Sequence, residues 1–516
     1  MNTNEQTSEQ MQVIIVGAGP VGLLAAIELT LGGARVLVLE RLAEPSKVMK
    51  ALGIGPLGSE VLQRRGMRPA IAEVEARAFA AMQSFAQQPG AQVRGRESKF
   101  SGHFAGLPLI RKDAQREPHR RPGPVDQHSI EAMLAERVQA LGIEVRRGCE
   151  VTSVVQQDDS VDVGWRSATG AGQLRCRWLI ACDGGRSSIR KMAGFDFPGT
   201  PPSSTFYQAE VEIDHPEHLL PLGWNRTSTG VFSYGPSAHP QSRRLFMLDF
   251  SGTPENREAP VTQEEIESVL RRISGMDVRV KGLGSASRWT DNTRLAATYR
   301  QGRVLLAGDA AHIHTPFGGQ GLSLGLVDAA NLGWKLAAVL RGDMPDSLLD
   351  TYTAERRPVA QAVLANTLAQ VAIMRPDPQA GAMRELIAEL MQFDDVNRRI
   401  GEMMSGLSTR YDLGSTHDAV GRLIGDRPIG HVEAGVTLYD VMQDGKAVFL
   451  DASVGSAASR LVAASTQQVR CVAVDSGPSL LIRPDACIAW AAEGDSIDGL
   501  EQALRHWFAP GARAAQ

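Results

Sequence analysis

Gly17, Gly19 and Gly22 stand in a G-x-G-x-x-G spacing directly after the apolar run QVIIV and at the start of VGLLAAIEL. Each glycine has a separate task in a dinucleotide site. Gly17 permits the tight turn, Gly19 lets a pyrophosphate approach the backbone, and Gly22 lets helix and strand pack closely. A helix opening at Pro20 offers N–H groups and a positive dipole end to phosphate. Glu40 ends the next strand, where a carboxylate accepts from ribose hydroxyls, with Arg41 beside it as a further candidate. A purely structural glycine turn is the competing account, and the motif alone does not separate FAD from NAD.

Two more strand-terminal segments carry similar chemistry. In CDGGRSSIR, Asp183 can accept from sugar hydroxyls, and the turn through Gly184 to Ser187 and Arg190 offers N–H, hydroxyl and guanidinium donors to phosphate. A helix cap with a structural salt bridge is the alternative for this segment. In AGDAAH, Gly308 and Asp309 again place a carboxylate at a strand end. His312 and His314 follow without a carboxylate or cysteine at ligand spacing, so they read as hydrogen-bonding side chains rather than metal ligands.

The three segments, in this order, resemble the flavoprotein aromatic hydroxylases, the p-hydroxybenzoate hydroxylase superfamily, over roughly residues 12–375. AHIHTPFGGQGLSLGLVDAANLGWKLA, RYDLG and LLIRPDACIAW make the whole length most similar to its longer members, the rifampicin monooxygenases and aromatic polyketide hydroxylases. The resemblance implies that Asp309 bonds the ribityl chain of FAD and that the segment from Asp183 to Arg190 serves both FAD and a nicotinamide cofactor. It places Gln127 near the flavin chain and Lys50 where relatives usually carry an arginine, a lysine supplying charge without the bidentate fork. It also implies a flavin-edge loop of Pro316, Gly318, Gly319, Gln320 and Gly321, followed by Leu322 and by Ser323 where relatives usually have asparagine. Pro316 fixes the loop, and bare glycine backbone ahead of a helix brings N–H donors to the negative edge of reduced flavin.

The implied reaction is hydroxylation of an aromatic, phenol-like compound of polycyclic or polyketide-like type. NADPH or NADH reduces FAD, dioxygen forms a flavin C4a-hydroperoxide, and the distal oxygen passes to an electron-rich ring carbon. A dry pocket protects the hydroperoxide, and members of the family move the isoalloxazine between positions. No residue stands out as a general base. The alternatives are a related flavoprotein doing Baeyer–Villiger or N-hydroxylation chemistry, and a catalytically idle flavin-binding protein that sequesters a ligand. None of the seven tryptophans forms the W-x-W-x-I-P signature of halogenases, and no cysteine pair supports a disulfide reductase.

These segments need scaffolding, and the pattern predicts an α/β architecture. A discontinuous Rossmann-like FAD-binding domain is expected over residues 12–200 and 291–405, after a disordered leader at 1–11 and with a less regular excursion at about 70–124. β-Branched and aromatic segments over 201–290, with the helix EEIESVLRRIS, predict an antiparallel substrate-binding sheet. Phe206, Tyr207, Phe232, Tyr234, Phe246 and Met247 are its candidate substrate wall, with core packing as the rival role for each. Residues 420–516 predict a small α/β module, thioredoxin-like by resemblance, although Cys471 and Cys487 form no C-x-x-C.

The chain has 516 residues, 43% of them hydrophobic and 22% charged, with a net charge of −4. That length calls for several domains, and that balance does not favour nucleic acid. The run RKDAQREPHRR reads as a solvated loop, with NADPH phosphates as the alternative. Five scattered cysteines indicate a reduced, cytoplasmic protein, and no apolar run reaches the roughly 18 to 20 residues that span a bilayer. A monomer or homodimer acting on a small aromatic molecule is expected.

Overall fold

The computed structural model describes residues 11–508 apart from 47, 49, 50, 87–98, 215–219, 238–241, 255, 257, 258, 430–434 and 456. Lys50 and the leader up to residue 10 therefore lie outside the described residues, and the first strand begins at Met11.

Its centre is a sheet whose parallel strands run in the order Val304–Leu306, Gly170–Ala181, Met11–Val16, Val36–Glu40 and Glu144–Arg147. Val13, Ile14 and Ile15 are fully buried because helices cover both faces, as all-parallel strands require. Strand Gly170–Ala181 is long enough for two tasks. Its first half pairs antiparallel with Val161–Ser167, and its second half lies parallel between Met11–Val16 and Val304–Leu306. The last of these strands arrives far downstream in the chain, so the sheet is built from segments distant in sequence.

Helix Pro20–Leu31 packs on helix Gln320–Arg341, which is buried along most of its length. The crossing is close, for a Cβ at Gly333 would stand 2.3 Å from the Cβ of Glu28. The expected irregularity after residue 70 is only partial. Gly66, at φ +84, breaks one helix path, but the chain resumes as helix Arg68–Ala86, and a hairpin, Phe100–Phe104 with Leu107–Arg111, follows. Alanine and glutamate carry that helix, residues of high intrinsic propensity that outweigh its weak apolar pattern.

Five strands between Thr205 and Thr290 pair antiparallel in a second sheet. Helix Gln263–Ser274 covers one face, capped by Thr262, whose hydroxyl accepts from the Glu265 N–H at 3.2 Å, and ended by Gly275 at φ +69. The other face looks towards the dinucleotide turn. Near the C-terminus four strands run in the order Val469–Ala473, Ala447–Asp451, Ser479–Ile482 and Ile488–Ala492, with helices Ala457–Ser465 and Leu500–Phe508 packed against them.

Candidate active site

Gly17 has φ +107, and a Cβ there would stand 2.4 Å from the carbonyl oxygen of Cys182; one at Gly22 would stand 1.9 Å from the oxygen of Gly17. Both positions are closed by packing. Gly19 is the opposite case, since nothing lies within 4 Å of where its Cβ would be, and it lines a cavity of about 1590 Å³ together with Pro20 and Val21. No side chain caps this helix, so its N-terminus is presented to the cavity. The Glu40 carboxylate accepts from the Ala18 N–H at 2.7 Å and the Leu42 N–H at 2.9 Å, which holds it beside the glycine turn but outside the cavity lining. Arg41 is exposed.

The second segment divides. Gly184, at φ +81, lines the cavity, and Asp183 Oδ2 accepts from the Ser188 N–H at 2.7 Å while Oδ1 is buried without a partner. Ser187 and Arg190, expected to meet phosphate, do not reach the cavity. Ser187 caps the short helix by accepting from the Arg190 N–H at 2.9 Å. The Arg190 guanidinium donates to the carbonyls of Ala310 and Gly185, at 2.9 and 3.0 Å, and lies over the Phe197 ring. Buried against those carbonyls, it acts as a staple for the next loop rather than a phosphate ligand.

That next loop carries Asp309, exposed in the cavity wall, whose carboxylate makes no hydrogen bond or ion pair among the described residues. Gly308, at φ +61, is fixed by its N–H donating to Asp328 at 3.2 Å. Asp328 is fully buried and also bonds His312 Nε2 and Arg356 Nε, each at 2.7 Å. Burial opposes its charge, yet Arg356 and His312 outweigh that and hold its pKa below the ordinary carboxylate value.

Pro316, Gly318, Gly319, Gln320, Gly321, Leu322 and Ser323 all line the cavity. Gly318 and Gly319 take successive left-handed conformations, φ +81 and +61, which turn the chain into helix Gln320–Arg341. Gln320 is locked by Met403 O at 2.8 Å and Asn366 at 2.9 Å. The Ser323 hydroxyl accepts from the Gly55 N–H at 3.0 Å, and Gln127 lines the cavity with its amide on Glu131 at 2.8 Å.

On the antiparallel sheet only one face meets the cavity, and this corrects the expected substrate wall. Tyr207, Phe232, Tyr234 and Met247 are buried in the opposite core, under helix Gln263–Ser274. Of the six candidates, Phe246 lines the cavity, and Phe206 sits behind it against Phe317, with ring centroids 5.5 Å apart. Trp224, Trp289 and Phe317 complete an aromatic wall that the sequence reading missed, and Gln208, Ser233 and Ser287 add polar groups on the same face. Period-two alternation from Phe206 and Phe246 was the available signal. Arg244 was missed as well. It lines the cavity with Nε buried and unpartnered, and burial lowers its pKa from the ordinary arginine value.

The basic run is more than a solvated loop. Arg120 forms a buried bidentate pair with Glu60 at 2.6 and 2.7 Å, and Arg116 pairs with Glu402 at 3.7 Å. Among the described residues no group of His, Cys, Asp and Glu side chains is arranged to hold a metal ion, and no helix is long and apolar enough to cross a membrane.

These residues suit a flavin dinucleotide. The bare backbone at Gly19, the unanswered Asp309 carboxylate, the Arg244 guanidinium with its unpartnered Nε and the glycine turn before Gln320 present N–H, carboxylate and cationic groups around one cavity. Comparison with known proteins agrees. The FAD binding domain family model matches residues 10–367, and the model of the aromatic-ring hydroxylase C-terminal domain matches residues 417–511. The chain is 38% identical to 12-dehydrotetracycline 5-monooxygenase/anhydrotetracycline 6-monooxygenase of Streptomyces rimosus, over 96% of this chain and 99% of that one. It is 38% identical to rifampicin monooxygenase of Streptomyces venezuelae, over 96% and 98%. The solved anhydrotetracycline hydroxylase of Streptomyces rimosus superposes with a TM-score of 0.84 at 37% identity, covering 97% of this chain and 99% of that one. The protein belongs to the FAD-dependent aromatic-ring hydroxylases, a family of flavoprotein monooxygenases.

Proposed function

We propose that the protein uses NADPH or NADH and dioxygen to hydroxylate a phenolic polycycle of polyketide type. The observation that carries this reading is one continuous cavity of about 1590 Å³ with a dinucleotide-binding turn on one side and an aromatic wall on the other. Pockets for single drug-sized ligands run from about 300 to 1,000 Å³, so this one has room for a flavin and a fused-ring substrate together. The relatives that act on tetracycline and rifampicin compounds support the same size class.

FAD supplies hydride acceptance and dioxygen activation when bound. The protein's own residues do the rest. Helix Pro20–Leu31 and Asp309 bind and orient, and the turn through Gly318 and Gly319 offers backbone donors to developing negative charge. Trp224, Phe246, Trp289 and Phe317 exclude water and stack on a planar ring system. We further infer that the C-terminal unit is thioredoxin-like. Its strand order and mixed directions support this, whereas Cys471 and Cys487 lack the spacing of a redox pair. All five cysteines are free thiols, which supports a reducing, cytoplasmic setting.

The test is NADPH oxidation by FAD-loaded protein against a panel of phenolic polycycles and naphthoquinones, with mass spectrometry of the products. A ligand that accelerates oxidation and gains one oxygen supports the proposal. A product with oxygen inserted beside a carbonyl redirects it to Baeyer–Villiger chemistry, and no stimulation by any ligand speaks for a flavin-binding protein without turnover.

A further inference from the structure

His103 places a directional polar group at the edge of the aromatic wall. His103 lines the cavity from the hairpin Phe100–Phe104 with Leu107–Arg111, and its ring lies 5.0 Å from Trp224, tilted by 52°. Trp224 in turn lies 5.4 Å from Phe246 and 6.0 Å from Phe317 in the flavin-edge loop, so His103 adjoins the surface assigned to the substrate rings.

The hairpin fixes both the orientation and the tautomer of this ring. Ala105 and Gly106 take left-handed conformations, φ +48 and +72, and the Gly106 N–H thereby donates to His103 Nδ1 at 3.2 Å. A ring nitrogen that accepts carries no proton, so in the neutral imidazole the proton resides on Nε2, directed away from the turn. Nε2 makes no hydrogen bond among the described residues. Burial, and secondarily the charge of Arg384, lowers the pKa of this histidine to about 4, so the ring is neutral near pH 7. Arg384 is itself anchored to the hairpin, donating to Ala105 O at 2.6 Å.

We propose that His103 is a substrate-binding residue whose Nε2–H donates a hydrogen bond to a carbonyl or phenolic oxygen on the edge of the ring system that lies against Trp224. The inference rests on the aromatic-substrate reading above and narrows it, for the substrate must carry an accepting oxygen at that edge. His103 is then a donor that orients the ring and steadies a phenolate, and it is not the base that removes the phenolic proton.

The experiment compares two probes of nearly equal size, 1-naphthol and 1-methylnaphthalene, binding to FAD-loaded protein, read by the perturbation of flavin absorbance. Wild-type protein is expected to prefer 1-naphthol by about five- to tenfold, the range of one neutral hydrogen bond. His103→Gln, which keeps an N–H donor, retains the preference. His103→Phe, which keeps a ring against Trp224, binds both probes alike. Absence of the preference in wild type, or its survival in His103→Phe, overturns the proposal. If His103→Phe fails to take up FAD, histidine-ring ¹H–¹⁵N spectra of the wild type decide. An Nε2–H tautomer whose proton moves on adding 1-naphthol but not 1-methylnaphthalene supports the assignment, and an Nδ1–H tautomer or an unmoved signal refutes it. Probe discrimination without any ligand-stimulated NADPH oxidation would sink the hydroxylase reading while leaving His103 in place.

Discussion

Asp309 and Gly19 matter because the protein leaves them unanswered: a carboxylate with no internal partner and a backbone with no neighbour where a side chain would be. Asp309→Ala removes the acceptor without opening a core, so it is expected to weaken FAD binding about tenfold or more at nearly unchanged melting temperature, as measured by release of flavin fluorescence. Residue chemistry also sets an acid limit. Burial holds both His103 and His314 at about 4, with Arg384 and His312 as the respective second causes, against an ordinary value of 6.5. Between those values the unfolded chain binds protons that the folded chain refuses. Stability is therefore full above about pH 6.5 and declines as the pH falls towards about 4. Thermal unfolding followed across that window should show the decline, and His103→Phe should make it shallower, leaving the share due to His314. The glycines, Asp309 and the turn before Gln320 were legible in the sequence because backbone chemistry admits few residue types there. His103 and Arg244 were not, because nothing local distinguishes a cavity-lining cation or imidazole from a surface one.

At the scale of elements, each site strand and turn has a packed side and an open side, and substitutions on the two sides part company. Gly17→Ala meets both the Cys182 carbonyl and a forbidden φ, so it is expected to destabilise the fold by about 1–3 kcal/mol and to lose FAD. Gly19→Ala meets nothing within the protein and should lose FAD affinity alone; calorimetry together with flavin content separates the two. The antiparallel sheet gives the same contrast. Met247→Ala hollows the core beneath helix Gln263–Ser274 and is expected to cost about 2–5 kcal/mol in denaturant unfolding. Phe246→Ala, one residue earlier, should instead weaken ligand binding. Composition alone put both residues on the substrate wall. Which face of a half-buried sheet meets the ligand depends on what covers the other face, and the covering helix declares itself only through its packing against Tyr207, Phe232 and Leu245.

At the scale of the molecule, the C-terminal unit is fastened to the FAD-binding domain by buried charge. Arg483 bonds Glu355 at 2.7 and 2.8 Å and Asp485 at 2.6 Å, Lys335 bonds Glu355 at 2.9 Å, and Asn331 links Glu355 to Asp485 at 2.7 and 2.8 Å. Removing one member strands the others, so Arg483→Leu is expected to cost about 3–5 kcal/mol, measurable by denaturant unfolding. Asn331 and Lys335 lie on the same long helix that begins at the flavin-edge loop, so this lock also steadies the site. Shifts in periodicity predict three units, but nothing in the sequence predicts the lock, for its members lie far apart in the chain. The central claim, oxygenation of an aromatic ring, is tested most directly by turnover under ¹⁸O₂ with a phenolic polycycle that stimulates NADPH oxidation. The account predicts a product carrying one ¹⁸O on a ring carbon; NADPH oxidation that yields only labelled hydrogen peroxide, with the polycycle unchanged, would contradict it.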